Sequence, residues 1–186
     1  MALPQGINFR QSDIFVTDGA NEYGEVAAAA PDYPVTTPQG NNVGWEYTGA
    51  TTSRDRQAGN DRRLAGVHSP GTAKDFRIDL PSAGSYNVRI AAGDGNYSCS
   101  PTTELIDTAA SLGTLATGST GAGNSFRDAT NTIYTAANWP ANNTAVNKTF
   151  TTTICRFRQT AQIAHVYIEA AASTAQWSGL VVTWNG

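Results

Sequence analysis

The stretch 76–95, FRIDLPSAGSYNVRIAAGDG, constrains the fold of this chain more than any other feature of its sequence. Two runs within it alternate apolar and polar residues, which is the period of a strand with one buried face. The segment 81–84, PSAG, separates the runs, and its proline and glycine favour a turn. The pattern predicts two antiparallel strands joined as a hairpin and covered by a second sheet. Their predicted buried residues are Phe76, Ile78, Leu80, Tyr86, Val88 and Ile90.

Short apolar runs recur along the rest of the chain and predict roughly ten to twelve strands in total. Eighteen glycines and a charged fraction of 15% suit an all-β chain with many turns. We therefore predict a single domain over 1–186, folded as an antiparallel β-sandwich. In the run 148–158 the apolar positions change parity, which predicts a bulge or a strand buried on both faces. Further strands are predicted at 14–19 and 180–184.

The charge balance argues against two classes of partner. The chain carries 12 basic and 15 acidic residues and a net charge of −3. Binding to nucleic acid through phosphates or to an anionic membrane needs clustered cations, which the sequence lacks. The N-terminus shows no basic segment followed by an apolar one, so no secretory signal is visible. We expect synthesis in the cytoplasm, a signal that has been removed, or export inside a larger particle.

Catalytic and metal-binding residues are scarce in the sequence. There are two histidines, His68 and His165, and no G-x-S-x-G motif of the kind that exposes a nucleophilic serine. We expect no catalytic activity and no cofactor, and the pairs of His and Cys that bind zinc are missing. A structural calcium ion is left open. Its oxygen ligands would come from Asp13, Asp18 and Glu22, or from Asp94.

Two cysteines, Cys99 and Cys155, are too few for a disulfide framework. Free cysteine behaves as a small, buried hydrophobic residue. We expect two buried free thiols rather than a disulfide, with pairing left open in case the two residues meet in space.

Five short motifs follow one another between residues 44 and 94: GW at 44–45, RDR at 54–56, DRRLAG at 61–66, FRIDLPSAGSYNV at 76–88 and GD at 93–94. In this order the chain resembles galactose-binding-domain-like jelly-roll modules, and more narrowly malectin-like and lyase- or esterase-associated modules. The resemblance implies a jelly roll that binds ligands through loops at one end and through aromatic side chains. The whole chain is also similar to uncharacterised proteins of tailed phages and viral metagenomes. That similarity implies a location on a virion or extracellular surface.

Aromatic side chains are the first candidates for a glycan site, because sugar rings stack their C–H faces on Trp and Tyr. Trp139, which lies in a polar loop, is predicted to be the most exposed ring, followed by Tyr97. Trp45 lies in a predicted strand, where a position in the core competes with a binding role. Asp94 and Asn96 belong to the turn that follows the second alternating strand, and they add polar groups there.

An arginine-rich segment spans RDR at 54–56 and DRR at 61–63. In a binding role, Arg56 and Arg62 would grip a carboxylate, for example that of an acidic sugar. The alternating signs favour a structural role instead, in which the arginines pair with neighbouring aspartates.

The sequence therefore predicts a non-catalytic carbohydrate-binding or adhesion module, displayed on the surface of a phage virion. The alternative is a structural virion protein, either a capsid decoration or a fibre component, that acts through protein–protein contacts. The partner is a glycan in the first case and other virion proteins in the second, with homo-oligomerisation left open. A lyase or esterase fragment is the least favoured interpretation.

Overall fold

The computed structural model describes residues 5–9, 25–26, 33–37, 40–46, 52–55, 64, 66–140 and 144–171. One turn of 3-10 helix, Ala136–Asn138, lies among these residues, and the other regular elements are strands. In chain order the strands are β1 (Gln5–Phe9), β2 (Glu25–Val26), β3 (Val35–Thr36), β4 (Asn42–Trp45), β5 (Thr52–Asp55), β6 (Gly66–Ser69), β7 (Lys74–Asp79), β8 (Gly84–Asp94), β9 (Thr102–Asp107), β10 (Ala110–Thr117), β11 (Ser125–Arg127), β12 (Ile133–Thr135), β13 (Val146–Phe150), β14 (Ile154–Gln159) and β15 (His165–Ala170).

Two sheets pack face to face. The seven-stranded sheet has the order β12-β11-β8-β15-β1-β2, and β13 pairs with the first half of β8. The six-stranded sheet has the order β10-β9-β14-β7-β4-β3, and β5 pairs with β6 in a separate ribbon. Among the described strands, every pairing except that of β1 with β2 is antiparallel. The prediction of an all-β antiparallel sandwich is confirmed.

The two alternating strands of 76–95 lie in different sheets, so the predicted hairpin between them is wrong. β7 pairs with β4 and β14, whereas β8 pairs with β11, β13 and β15. The linking residues 80–83 carry the chain from one sheet to the other. Gly84 begins β8 with a φ of +151°, a conformation that glycine adopts without strain. The predicted apolar faces are confirmed, because their six residues are at most 3% exposed and belong to one core.

The main core lies between the sheets and contains an aromatic group around Trp45. The ring centroids of Trp45, Phe9 and Phe76 lie 5.0–5.9 Å apart in tilted and edge-to-face arrangements. Trp45 is 1% exposed. Of the two roles that the sequence left open for it, the core position is therefore the observed one, and its ring is not available to stack on a ligand.

The run 148–158 forms two strands rather than one. β13 ends at Phe150 in the seven-stranded sheet, and β14 begins at Ile154 in the six-stranded sheet. The change of parity marks the point at which the chain crosses between sheets, so the predicted bulge or doubly buried strand is wrong. The carboxylate of Asp107 holds the crossing by accepting hydrogen bonds from the backbone N–H and the hydroxyl of Thr151, each at 2.6 Å.

Three remaining local features are a short hairpin, the two cysteines, and the strands predicted near the two ends of the chain. β11 and β12 form a small hairpin, with Asn131 in a left-handed conformation at a φ of 66°. Both cysteines are free thiols, as predicted, but only Cys155 is fully buried, whereas Cys99 is half-buried. The strands predicted at 14–19 and 180–184 lie outside the described residues.

Candidate functional site

Three of the seven predicted ligand-binding residues come together where β8 ends. Asp94 is the last residue of that strand, and Asn96 and Tyr97 follow it in the loop. Asp94 is only 2% exposed, and its Oδ1 accepts a hydrogen bond of 2.8 Å from the backbone N–H of Asn96. The carboxylate therefore closes the turn and does not face a ligand. Asn96 is exposed, and Tyr97 is 62% exposed.

A second loop, 118–124, supports the loop that carries Tyr97. Thr120 and Cys99 exchange two hydrogen bonds, from the Thr120 N–H to the Cys99 carbonyl at 2.8 Å and from the Cys99 N–H to the Thr120 hydroxyl at 3.1 Å. The N–H of Asn124 donates to the carbonyl of Asp94 at 3.0 Å. We call the loops 95–99 and 118–124 together the end platform, because they form one hydrogen-bonded surface at one end of the sandwich.

Arg127 fixes the far side of the end platform. Its guanidinium donates to the carbonyls of Gly118 at 3.1 Å, Ser119 at 2.5 Å and Asn131 at 2.9 Å. Two of these bonds restrain the start of the 118–124 loop, and the third ties the same guanidinium to the turn between β11 and β12. The sequence of this glycine-rich loop gives no sign of the arginine, which lies on β11 and reaches back to the loop.

Gly123 lies so close to the loop that carries Tyr97 that no side chain fits there. A Cβ atom at Gly123 would lie 2.4 Å from the carbonyl oxygen of Asn96 and 3.0 Å from the N–H nitrogen of Tyr97. We expect Gly123→Ala to cost about 1–3 kcal/mol of stability, because backbone atoms must move apart. Urea unfolding of this variant measures the loss. Gly121→Ala is the comparison, since a Cβ there meets no atom within 4 Å and only its positive φ opposes the change. Equal losses in the two variants would contradict the close approach.

Trp139 is buried, so the prediction that it is the most exposed ring is wrong. Its side chain is 8% exposed and lies edge-on to Phe126 at 6.1 Å and to Tyr134 at 5.7 Å between ring centroids. These rings form a second, smaller apolar cluster with Leu64, Ala91, Ala136 and Ala164. A polar loop can bury its one large apolar ring against the sheet, and here the loop does so. Substitution of Trp139 therefore tests folding rather than ligand binding.

The remaining predicted site residues are not part of the end platform. Trp45 lies in the core, and Arg56 and Arg62 lie outside the described residues. The candidate calcium ligands Asp13, Asp18 and Glu22 lie there as well. Within the described part of the chain, no group of three or more His, Cys, Asp or Glu side chains is arranged to hold a metal ion.

The end platform combines one thiol with exposed aromatic and polar side chains. Its one thiol, Cys99, has a raised pKa, because burial disfavours the thiolate more strongly than the hydrogen bond with Thr120 favours it. A thiol of this kind is a poor nucleophile. The 95–99 loop of the platform presents to solvent the side chains of Asn96, Tyr97 and Ser98, and the 118–124 loop adds those of Ser119 and Asn124. An aromatic face with hydrogen-bonding groups beside it suits a ligand that has both C–H faces and hydroxyl groups.

The described residues include no helix with the length and apolarity needed to span a membrane.

Comparison with known proteins supports the fold. No family model and no curated protein sequence matches the chain. A structural genomics crystal structure of a Bacillus subtilis protein matches 97% of this chain and 42% of that protein, with 13% identity and a TM-score of 0.51. A crystal structure of a β-glucuronidase from Bacteroides uniformis matches 90% of this chain and 18% of that enzyme, with 14% identity and a TM-score of 0.48. The chain spans less than half the length of either protein. At 13% identity, the first similarity concerns the all-β fold alone.

Proposed function

We propose that this chain is a non-catalytic carbohydrate-binding module that adheres to glycans through the end platform. The observation that carries the proposal is Tyr97, an aromatic ring that is 62% exposed at the end of the sandwich. Tyrosine rings are enriched at binding sites, because an aromatic face and a hydroxyl group can contact a ligand together. The neighbouring amide of Asn96 supplies hydrogen bonds to sugar hydroxyls.

Support from the second loop strengthens this assignment. A ligand that binds a mobile loop must offset the entropy of ordering it, whereas a preformed loop avoids that cost. The hydrogen bonds between Cys99 and Thr120, together with the Asp94 turn, hold Tyr97 in place before any ligand arrives. We further propose that the module works on a virion or extracellular surface, in keeping with the phage-protein similarity of the sequence.

The proposal predicts that Tyr97→Ala weakens glycan binding by about tenfold or more without changing stability, since an aromatic anchor contributes more than 1 kcal/mol. A glycan array identifies a ligand for the wild type, and titration calorimetry compares the variants. Ile133→Ala is the matched control, because Ile133 is also a large exposed hydrophobic residue, 43% accessible, but lies on β12. Tyr97→Phe should retain most of the affinity if stacking dominates. Array hits that Tyr97→Ala leaves unchanged would refute the platform as the site.

A structural virion protein is the second candidate, and the exposure of Ile133 favours it. β12 ends the seven-stranded sheet in the described part of the chain, and an edge strand can pair with a second copy. In this case the chain forms a symmetric oligomer, which light scattering coupled to size-exclusion chromatography detects. A stable oligomer that Ile133→Lys disrupts, together with an empty glycan array, would replace the first proposal by this one.

A further inference from the structure

A cleft lies on the outer face of the six-stranded sheet. Its volume is about 430 Å³, and it is open to solvent along the sheet. Its lining combines cations and carboxylates with a small apolar and a hydroxyl side chain: Glu46, Ala73, Lys74, Asp75, Thr108, Arg156 and Arg158. None of these residues belongs to the end platform.

The strand register places the charged groups of this cleft. Arg156 and Arg158 are two residues apart on β14, so both side chains leave the same face of the sheet. Asp75 on β7 is directly opposite Arg158 and receives two hydrogen bonds from it, from Nε at 2.9 Å and from Nη2 at 3.0 Å. This bidentate pair fixes the Asp75 carboxylate at the floor of the cleft.

Glu46 forms the other fixed carboxylate. It accepts hydrogen bonds from the guanidinium groups of Arg156 at 3.0 Å and Arg77 at 3.1 Å. Burial alone would raise the pKa of Glu46, but the bonds from the two arginines outweigh burial and lower it. Arg77 is itself held, by Asp79 at 2.7 Å and by the ring of Tyr33, 4.2 Å below its guanidinium carbon. The carboxylate is therefore ionised and rigidly oriented before a ligand binds.

Arg158 keeps donors for a ligand. Its Nη1 lies 3.9 Å from the carboxylate of Glu104, which is too far for a hydrogen bond, and its side chain is 45% exposed. Three cations and two carboxylates line the cleft, which leaves a formal excess of one positive charge. Oε2 of Glu46 and both carboxylate oxygens of Asp75 accept one arginine hydrogen bond each. Each of these three oxygens can accept a second hydrogen bond, so hydroxyl groups also find acceptors here.

From this arrangement we infer that the cleft is a second ligand site, which takes a hydroxyl-rich unit that carries one carboxylate, such as a uronic acid residue of an acidic polysaccharide. The ligand carboxylate meets Arg158 on the positive side of the cleft. Its hydroxyls donate to Asp75 and Glu46. The lining holds no aromatic ring among the described residues, so charge and hydrogen bonding, rather than stacking, select the ligand.

The test is calorimetric titration with a trimer of galacturonic acid, at low ionic strength where charge interactions are least screened. A neutral trimer of galactose and a triglutamate peptide are the comparison ligands. Arg158→Gln should weaken binding of the uronate by about tenfold, the loss of one charge-assisted contact. Lys148→Gln removes the same charge on β13, where the lysine donates to the carbonyl of Leu112, and should leave the affinity unchanged.

A second variant guards against an effect of Arg158→Gln on folding. Glu104→Gln removes a negative charge beside Arg158 and should raise affinity for the uronate by about twofold. Equal binding of the neutral trimer, tighter binding of triglutamate, or no binding of the uronate would each overturn the inference. The end platform is tested separately, because Tyr97→Ala should leave uronate binding intact even if the platform binds no glycan.

Discussion

We expect Trp45→Ala to lose about 3–5 kcal/mol of unfolding free energy, which is the usual cost of truncating a buried tryptophan. The ring is 1% exposed and lies between Phe9 at 5.9 Å and Phe76 at 5.2 Å. Its removal deletes the tilted contact with Phe9 and the edge-to-face contact with Phe76, and it opens a cavity between the two sheets. Because domains of this size are stable by about 5–15 kcal/mol, the variant should lose a large fraction of its stability.

Urea unfolding followed by far-ultraviolet circular dichroism measures this loss. Trp45→Phe is the control, because it keeps an aromatic ring against Phe9 and Phe76 and should lose less than half as much. A loss below about 1 kcal/mol for the alanine variant would be that of a surface position. Such a result would favour the alternative interpretation, in which the Trp45 ring is available to bind a ligand.

The contrast between Trp45 and Trp139 shows which part of the fold the sequence could predict. Trp45 lies in a period-two strand, where the pattern allows a core position. Trp139 lies in a polar loop without a period, so nothing local indicated that Phe126 and Tyr134 would cover it. Burial of a loop residue depends on tertiary contacts, here with β11, β12 and the cluster residues Leu64, Ala91 and Ala164, and the sequence of the loop contains no information on those contacts.

Strand partners were harder to predict than strands. Alternation in 76–95 identified the buried faces correctly, since a period of two depends only on which side of a strand faces the core. It contains no information on whether the next strand lies beside the first or across from it. Four linking residues, 80–83, are enough for a hairpin within one sheet and for a crossing between two sheets. The pattern predicted the hairpin, and the structure has the crossing. The parity change in 148–158 was the one local sign of a crossing between sheets, but a bulge or a strand buried on both faces produces the same change.

Local sequence predicted part of one candidate site, the end platform, but not the other, the cleft. Asn96 and Tyr97 were predictable, because they follow a strand end in a strong turn signal. The cleft on the six-stranded sheet was not, because Arg158 and Asp75 are 83 residues apart in sequence and meet only through the register of β14 with β7. The spacing of Arg156 and Arg158 places both on one face, which is a usable signal once β14 is recognised as a separate strand.

Asp107→Asn is expected to cost about 2–4 kcal/mol at neutral pH, because a buried carboxylate that accepts several hydrogen bonds is replaced by a group with one acceptor. Asp107 is 3% exposed and holds the crossing at 151–153 through Thr151 and Thr152. In the asparagine variant an amide N–H₂ must face at least one of these donors. The crossing joins β13 to β14. Loss of the hydrogen bonds to Asp107 therefore weakens the packing of the two sheets at this point.

The same carboxylate gives this prediction a pH dependence. Burial would raise the pKa of Asp107, but hydrogen bonds from Thr151 and Thr152 outweigh burial and hold it below its usual range. The unfolded-state pKa is about 3.9, so the carboxylate contributes fully above that pH and its contribution is lost as the pH falls through the folded-state value. The stability difference between wild type and Asp107→Asn should therefore be constant at neutral pH and shrink below about pH 4.

Urea unfolding at a series of pH values measures this difference directly. Groups common to both proteins, Glu46 among them, titrate in each and cancel in the comparison. Glu104→Gln serves as the control, since that carboxylate is partly exposed and lies 3.9 Å from its nearest cation, Arg158. Its stability difference from wild type should stay small throughout, within about 0.5 kcal/mol. A difference for Asp107→Asn that stays constant through acid pH would show that shape, and not the ionised carboxylate, holds the crossing.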